Sequence, residues 1–390
     1  MSHSNSPQSS IKKRYTDAAK QAEPALCCPV EYAPKYLQVI PDEVIEKDYG
    51  CGDPSSWLQA GETVLDLGSG MGKICFIAAQ VVGAEGRVIG IDMTDEMLAV
   101  ARRNAPIVAD RIGYSNVEFR KGRIQDLSLD LDQLDQALRS HPVATVTDFL
   151  NLDDLAEELR LKHPLIESNS IDVVVSNCVL NLVDSHQKPQ LFREIFRVLK
   201  CGGRAIISDI VSDEPVPQAM RKDAHLWTGC ISGALTEEGF LQAFEIAGFY
   251  GVELVKFASK PWQTVDGIEF RSVTVRAFKG QQGACFEHNQ AVLYQGPFKS
   301  VLDDEGHRFD RGVRMAVCDK TFNLLQSGPY AGHFATIQPL QAVSAEQAQA
   351  FNCAKGARRH PKQTKGQDYE ATIATANCLE GGECCGSNDV

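Results

Sequence analysis

The 390-residue chain carries thirteen cysteines, and thiols can act as nucleophiles, cycle through disulfides or bind soft ions. They are not spaced as a zinc ribbon: Cys-x-x-Cys never occurs, and the only close pairs are the adjacent Cys27-Cys28 and Cys384-Cys385. Their odd number, and a polar Met1 to Ser10 without the apolar segment of a secretory signal, argue against a disulfide framework. Free thiols in the reducing cytoplasm are therefore expected, with no structural metal.

A second chemistry lies in Val64-Leu65-Asp66-Leu67-Gly68-Ser69-Gly70-Met71-Gly72. Val64 to Leu67 reads as a short buried strand, the three alternating glycines as a tight turn, and Lys73 to Val82 as the helix that follows. Glycines let backbone amides approach a ligand closely, and Asp92, at the end of Arg87 to Asp92, is placed to accept both hydroxyls of a ribose. A dinucleotide site asks for G-x-G-x-x-G. Here the third glycine comes one position early and Lys73 stands in its place, which disfavours a nicotinamide dehydrogenase. Asp66 suits a ligand with an amino group better than a pyrophosphate. This D-x-G-x-G-x-G form resembles motif I of the class I methyltransferases that use S-adenosylmethionine.

The elements that must position these groups alternate. Strand Thr63 to Leu67, helix Lys73 to Val82, strand Arg87 to Ile91, helix Thr94 to Asn104 and strand Val117 to Lys121 follow in turn. Gly122 to Asp126 comes next, and in class I methyltransferases this stretch faces the adenine, which makes Asp126 or Gln125 a candidate. Leu127 to Asn169 is long for a connection of this kind; it is acidic, and Asp148 to Leu161 has helical periodicity. Ile171 to Ser176 is the apolar run of a central parallel strand and delivers Asn177-Cys178. Helix Pro189 to Leu199, strand Arg204 to Ile210, helix Thr236 to Ala247 and strands Val252 to Phe257 and Phe270 to Lys279 complete an α/β, Rossmann-like class I methyltransferase fold with a seven-strand mixed sheet. The expected organisation is an N-terminal segment 1–48, a methyltransferase core 49–279 with its insertion at 127–169, a small mostly-β domain 280–341 and a flexible, cysteine-rich tail 342–390.

A net charge of −12 argues against nucleic acid or an anionic membrane as partner, and no apolar run approaches the ~18 residues of a membrane span. A cytoplasmic monomer is expected.

Ligands of open α/β sheets bind beyond the carboxyl ends of the strands, so Cys178 is expected to face the reacting methyl group. Tyr49-Gly50-Cys51-Gly52, Gly90-Ile91-Asp92-Met93-Thr94, Ser176-Asn177-Cys178-Val179-Leu180-Asn181-Leu182 and Trp227-Thr228-Gly229-Cys230 together resemble the arsenite methyltransferases. The resemblance covers residues 27–340, and Cys384-Cys385-Gly386 is similar to that family's tail. It implies an enzyme that moves a methyl group from S-adenosylmethionine to trivalent arsenic, itself held by Cys51, Cys178 and Cys230 and delivered as a thiol conjugate. It implies a cofactor site of Tyr49, Asp66, Gly68, Ser69, Gly70, Gly72, Asp92, Met93, Gly122, Ile124 and Asn177. It further implies a thiol relay in which Cys28 or Cys27 pairs with Cys51 and is reopened by thioredoxin or glutathione. Cys75, Cys201, Cys285, Cys318 and Cys353 read as structural or incidental, and Cys378, Cys384 and Cys385 as inessential. Two other readings remain at this stage: a methyltransferase for an organic acceptor, and a non-catalytic thiol-rich arsenic binder.

Overall fold

The computed structural model describes residues 30–46, 50–353 and 356–365, together with Arg14, Thr16 and Glu370. Tyr49, Cys27, Cys28 and the tail cysteines Cys378, Cys384 and Cys385 lie outside the described residues. The chain divides into two compact units, Met1–Gln281 and Gln282–Val390.

The first unit is built on β1 (Thr63–Leu67), β2 (Arg87–Asp92), β3 (Val117–Lys121), β4 (Ile171–Asn177), β5 (Leu199–Ser212), β6 (Phe249–Phe257) and β7 (Ile268–Lys279), in the spatial order β3-β2-β1-β4-β5-β7-β6. Strands β1 to β5 pair in parallel, while β7 runs antiparallel to both β5 and β6. This is the seven-strand mixed sheet expected; the short strands Leu235–Thr236 and Gln263–Val265 add to β5 and β7. Val64, Leu65, Leu67, Val173, Val174 and Val175 are fully buried, because helices cover both faces. On one face pack α1 (Lys73–Val82) and α2 (Asp95–Ile112), through Phe76, Ala79, Leu98 and Ala101. On the other, Phe192, Phe240 and Phe244 form an edge-to-face aromatic cluster.

Helix α2 runs past the expected Asn104 and through Pro106 to Ile112. An interior proline costs ~3 kcal/mol, but Met97, Leu98 and Val108 are buried on one stripe, each offsetting ~1.5–3 kcal/mol. Tertiary packing overrides the local penalty. The insertion holds two helices, Leu131–Ser140 and Val146–Lys162, the second started by a reciprocal Thr145–Asp148 capping box. The first had not been read from the sequence.

In the second unit β8 (Phe286–Glu287) pairs with β12 (Gln349–Ala350), and β9 (Ala291–Tyr294) is flanked by β10 (Arg314–Ala316) and β11 (Phe334–Ile337). Residues 342–353 and 356–365 were expected to be tail, yet they belong to this fold. Thr364 is fully buried and accepts from Arg314, and Arg359 pairs with Glu287 at 2.7 Å. The segment is held by backbone pairing and this ion pair rather than by an apolar face, so it carries no hydrophobic period. No helix among the described residues is long and apolar enough to cross a membrane.

Candidate active site

A cavity of the first unit opens beyond the carboxyl ends of β1, β2 and β4, at the point where the strand order reverses. Asp66, Gly68, Ser69 and Gly70 line it from the end of β1 and the turn after it, Asp92 and Met93 from β2, Gly122 and Ile124 from the stretch after β3, and Asn177 and Cys178 from β4. Gly68, Gly70 and Gly72 take φ of 72°, 51° and 92°, the left-handed region a side chain resists. Gly72 caps α1. Asp92 fixes the turn: one carboxylate oxygen accepts the Gly70 N–H at 2.9 Å, the other the Thr94 N–H at 2.8 Å. Burial pushes its carboxyl above the ordinary range, against those hydrogen bonds.

The donor set suits a nucleoside with an amino-acid arm. Ser69 Oγ is buried in the cavity wall and makes no hydrogen bond, so a polar partner from a ligand would satisfy it. Lys73, at the first turn of α1, lines the cavity with its ammonium 3.9 Å from the Tyr32 ring centre. Asp66 accepts from the Cys75 thiol at 3.2 Å, and burial together with that carboxylate pushes the Cys75 pKa up. Gln125 lines the cavity, whereas Asp126 turns outward to Arg160 at 3.1 Å.

Cys178, in the cavity lining, belongs to a buried, largely apolar cluster that also contains Cys51, Cys230, Ile210, Met220 and Phe270. Cys178 and Cys230 both adopt φ of 63°. Apart from Asn and Asp residues, they are the only non-glycine residues of positive φ among those described, and such strain concentrates at functional sites. Cys178 is the central thiol. Its sulfur lies within 4.8 Å of the Cys51 sulfur in a group that Cys230 does not join; Cys230 Sγ instead donates to the Cys178 carbonyl at 3.2 Å. Interaction with Cys230 favours a Cys178 thiolate, but interaction with Cys51 and burial outweigh it and push this thiol well up. Interaction with Cys178 and burial push the Cys230 thiol up as well. The resting site therefore holds both as neutral thiols.

Two asparagines clamp the loops that carry the thiols. Asn177 Oδ1 accepts from Cys51 N at 2.8 Å and Gly52 N at 3.0 Å, while Nδ2 donates to Gly52 O at 2.8 Å and the Tyr32 hydroxyl at 3.2 Å. Its amide is thus spent on the Cys51 loop; it forms part of the cavity wall but has no donor or acceptor left over for the cofactor expected there. A Cβ on Gly50 would come within 2.3 Å of Asn177 Nδ2, so only glycine permits this approach. Asn181 Nδ2 donates to Ile210 O at 2.6 Å and Cys230 O at 3.2 Å. Lys188 Nζ joins Asn181 Oδ1 to Gly233 O, just beyond Cys230.

Asp209 was not singled out from the sequence. It is fully buried in β5, and a carboxylate oxygen shares a 4.8 Å group with the Cys51 and Cys178 sulfurs. Its oxygens accept the N–H groups of Leu180 at 2.9 Å and Ile210 at 2.7 Å. Burial pushes its pKa up to about 6, against the attraction of Lys188, which burial pushes down to about 8. A carboxylate inside Ile206-Ile207-Ser208-Asp209-Ile210-Val211 was the available signal, since isolated charges are not left in central strands without a partner.

Residues 58–248 match a methyltransferase domain family, and residues 281–369 a domain of unknown function. An arsenite methyltransferase of Aquipseudomonas alcaligenes is 36% identical over 330 residues, covering 80% of this chain and 84% of that protein. The chain belongs to the arsenite methyltransferases. The human arsenite methyltransferase is 30% identical over 316 residues, 78% of this chain and 74% of that one. The crystal structure of an arsenic(III) S-adenosylmethionine methyltransferase from Chlamydomonas reinhardtii superposes with a TM-score of 0.52 at 28% identity, covering 84% of this chain and 99% of that one.

Proposed function

We propose that this enzyme methylates trivalent arsenic held by Cys51, Cys178 and Cys230, with the methyl donor bound in the adjoining cavity. The single observation that carries this reading is that Cys178, in the lining of that cavity, shares one buried cluster with Cys51 and Cys230, two of the three on strained backbone. Asp92 would hold the ribose, Asp66 the amino group, and Lys73 the carboxylate of the amino-acid arm. S-adenosylmethionine, when bound, supplies an electrophilic methyl group.

Each thiol that captures arsenite passes its proton to a departing hydroxide, so three As–S bonds replace three As–O bonds and three waters leave. Arsenic keeps its lone pair and carries no proton, so no general base is needed for the transfer itself. The asparagine clamps hold the sulfurs, and positioning of this kind is worth up to ~7–11 kcal/mol. The apolar wall of Ile210, Met220 and Phe270 excludes water. Methyl transfer formally raises arsenic to the pentavalent state, and the two electrons that return it come from Cys51 with Cys28 or Cys27, which close as a disulfide. Thioredoxin or glutathione then reopens that bond by thiol exchange.

Product speciation from arsenite with S-adenosylmethionine and a thiol reductant tests the reading. Wild type yields methylarsenicals, and Cys178→Ser or Cys230→Ser yields none. Cys51→Ser fails on arsenite but still accepts methylarsenite, which needs two thiols. Equal loss on both substrates would refute the assigned role of Cys51.

A further inference from the structure

We propose that Cys285, Cys318 and Cys353 form a second trivalent-arsenic site, built into the C-terminal unit. The identity of the ion rests on the reading of this chain as an arsenite methyltransferase; the site itself rests on geometry. Their three sulfurs lie within 4.8 Å of one another, although the residues are far apart in sequence. The fold brings them together. Cys285 precedes β8 and Cys353 follows β12, and Phe351 N donates to Cys285 O at 2.8 Å beside that strand pair. Cys318 enters from a third direction, as the N-cap of helix Asp319–Leu324.

The triad is made for capture rather than for a crosslink. None of the three is in a disulfide, and any pairing among three thiols leaves one over. A small cavity reaches Cys318 and Cys353 between Phe309, Met315 and Phe351, so an ion has a path in. Cys318 Sγ accepts the Thr321 N–H at 3.4 Å, and Lys320, two residues further on, donates to Gly283 O at 2.7 Å.

Coordination number selects the ion. Zinc in a structural site takes four ligands in a tetrahedron, and among the described residues no fourth His, Cys, Asp or Glu joins this group. The neighbouring His307 gives its Nδ1 to Asp303 at 2.8 Å. Trivalent arsenic takes three thiolates and keeps a lone pair where a fourth ligand would stand. Binding breaks three S–H and three As–O bonds, forms three As–S bonds and releases three waters, with no change of oxidation state. The unit thus gains a place to hold arsenite without transferring a methyl group to it.

The test uses the full reduced chain carrying Cys178→Ser and Cys230→Ser together, incubated with arsenite alone. Bound arsenic is counted by mass spectrometry after gel filtration, and its ligands by arsenic K-edge absorption. One arsenic per chain with three sulfur neighbours is expected, and adding Cys353→Ser or, separately, Cys285→Ser removes it. In the wild-type chain, where folding is not in question, arsenite should protect Cys285 and Cys353 from N-ethylmaleimide by peptide mapping. The proposal is overturned if the double variant binds no arsenic, if bound arsenic survives Cys353→Ser, or if these thiols alkylate at the same rate with and without arsenite. It is equally overturned if the purified chain holds zinc that arsenite does not displace and that Cys353→Ser removes. Failure of the catalytic reading shows separately, as a wild-type chain that makes no methylarsenical whatever its arsenic count.

Discussion

Replacing Asn177 by alanine should separate the first methylation from the second. The side-chain amide makes four hydrogen bonds, and three of them hold the backbone of the Cys51 loop: Cys51 N, Gly52 N and Gly52 O. Alanine leaves two buried N–H groups and weakens the hold on one carbonyl. Each orphaned group costs ~1–3 kcal/mol, so the closed loop loses ~2–6 kcal/mol unless it detaches. Contacts from Ser272 and Tyr32 to this loop's carbonyls remain but do not satisfy the donors. A loss of ~3 kcal/mol moves the closed-to-open ratio roughly 100-fold. The assay is the pair of kcat/KM values for arsenite and methylarsenite, with the rate at which Cys51 is alkylated. Arsenite, which needs all three thiols, should lose roughly 100-fold and methylarsenite less than about 10-fold, while Cys51 alkylates faster. Equal losses on both substrates, or an unchanged alkylation rate, would refute the clamp.

Other outcomes follow from the same geometry. The carboxyl of Asp209, pushed up to about 6 in the folded chain, keeps its proton there over a range in which the unfolded chain, at ~3.9, has lost it. Unfolding free energy should therefore fall as pH rises from ~4 to ~6, by an amount of the order of 3 kcal/mol. Denaturant titrations at fixed pH check this, and Asp209→Asn should flatten that slope; an unaltered slope would mean another group titrates there. Ser69→Ala should weaken S-adenosylmethionine about 3- to 10-fold in calorimetry, the worth of one hydrogen bond of ~0.5–1.5 kcal/mol; an unchanged Kd would remove Ser69 from the cofactor site.

How far the molecule was legible differs from one part to another. The Val64–Gly72 stretch announced strand, turn and helix because each of its requirements is local: an apolar run, residues free to take positive φ, and a helix start. Asp92 and the cavity residues beyond β2 and β3 followed, since a βαβ unit leaves little choice about where strand ends lie. Pro106 was misleading in the opposite sense, as burial of Met97, Leu98 and Val108 carried α2 through it. Residues 342–353 and 356–365 did not read as part of the fold because an ion pair and short strand pairings leave no hydrophobic period for a sequence to display.

Residue types and local spacing alone determined the methyl-donor turn, the apolar strands and the presence of thiols with no zinc-ribbon spacing. Which thiols meet was decided only by tertiary structure. Cys51, Cys178 and Cys230 enter one buried cluster because Asn177 and Asn181 clamp loops distant in sequence across the ends of β4 and β5. Cys285, Cys318 and Cys353 are joined because β8 pairs with β12 beside a short helix. The reason is physical: a strand or a turn is specified by neighbours along the chain, whereas a three-sulfur site is specified by distances that exist only after the sheet has closed.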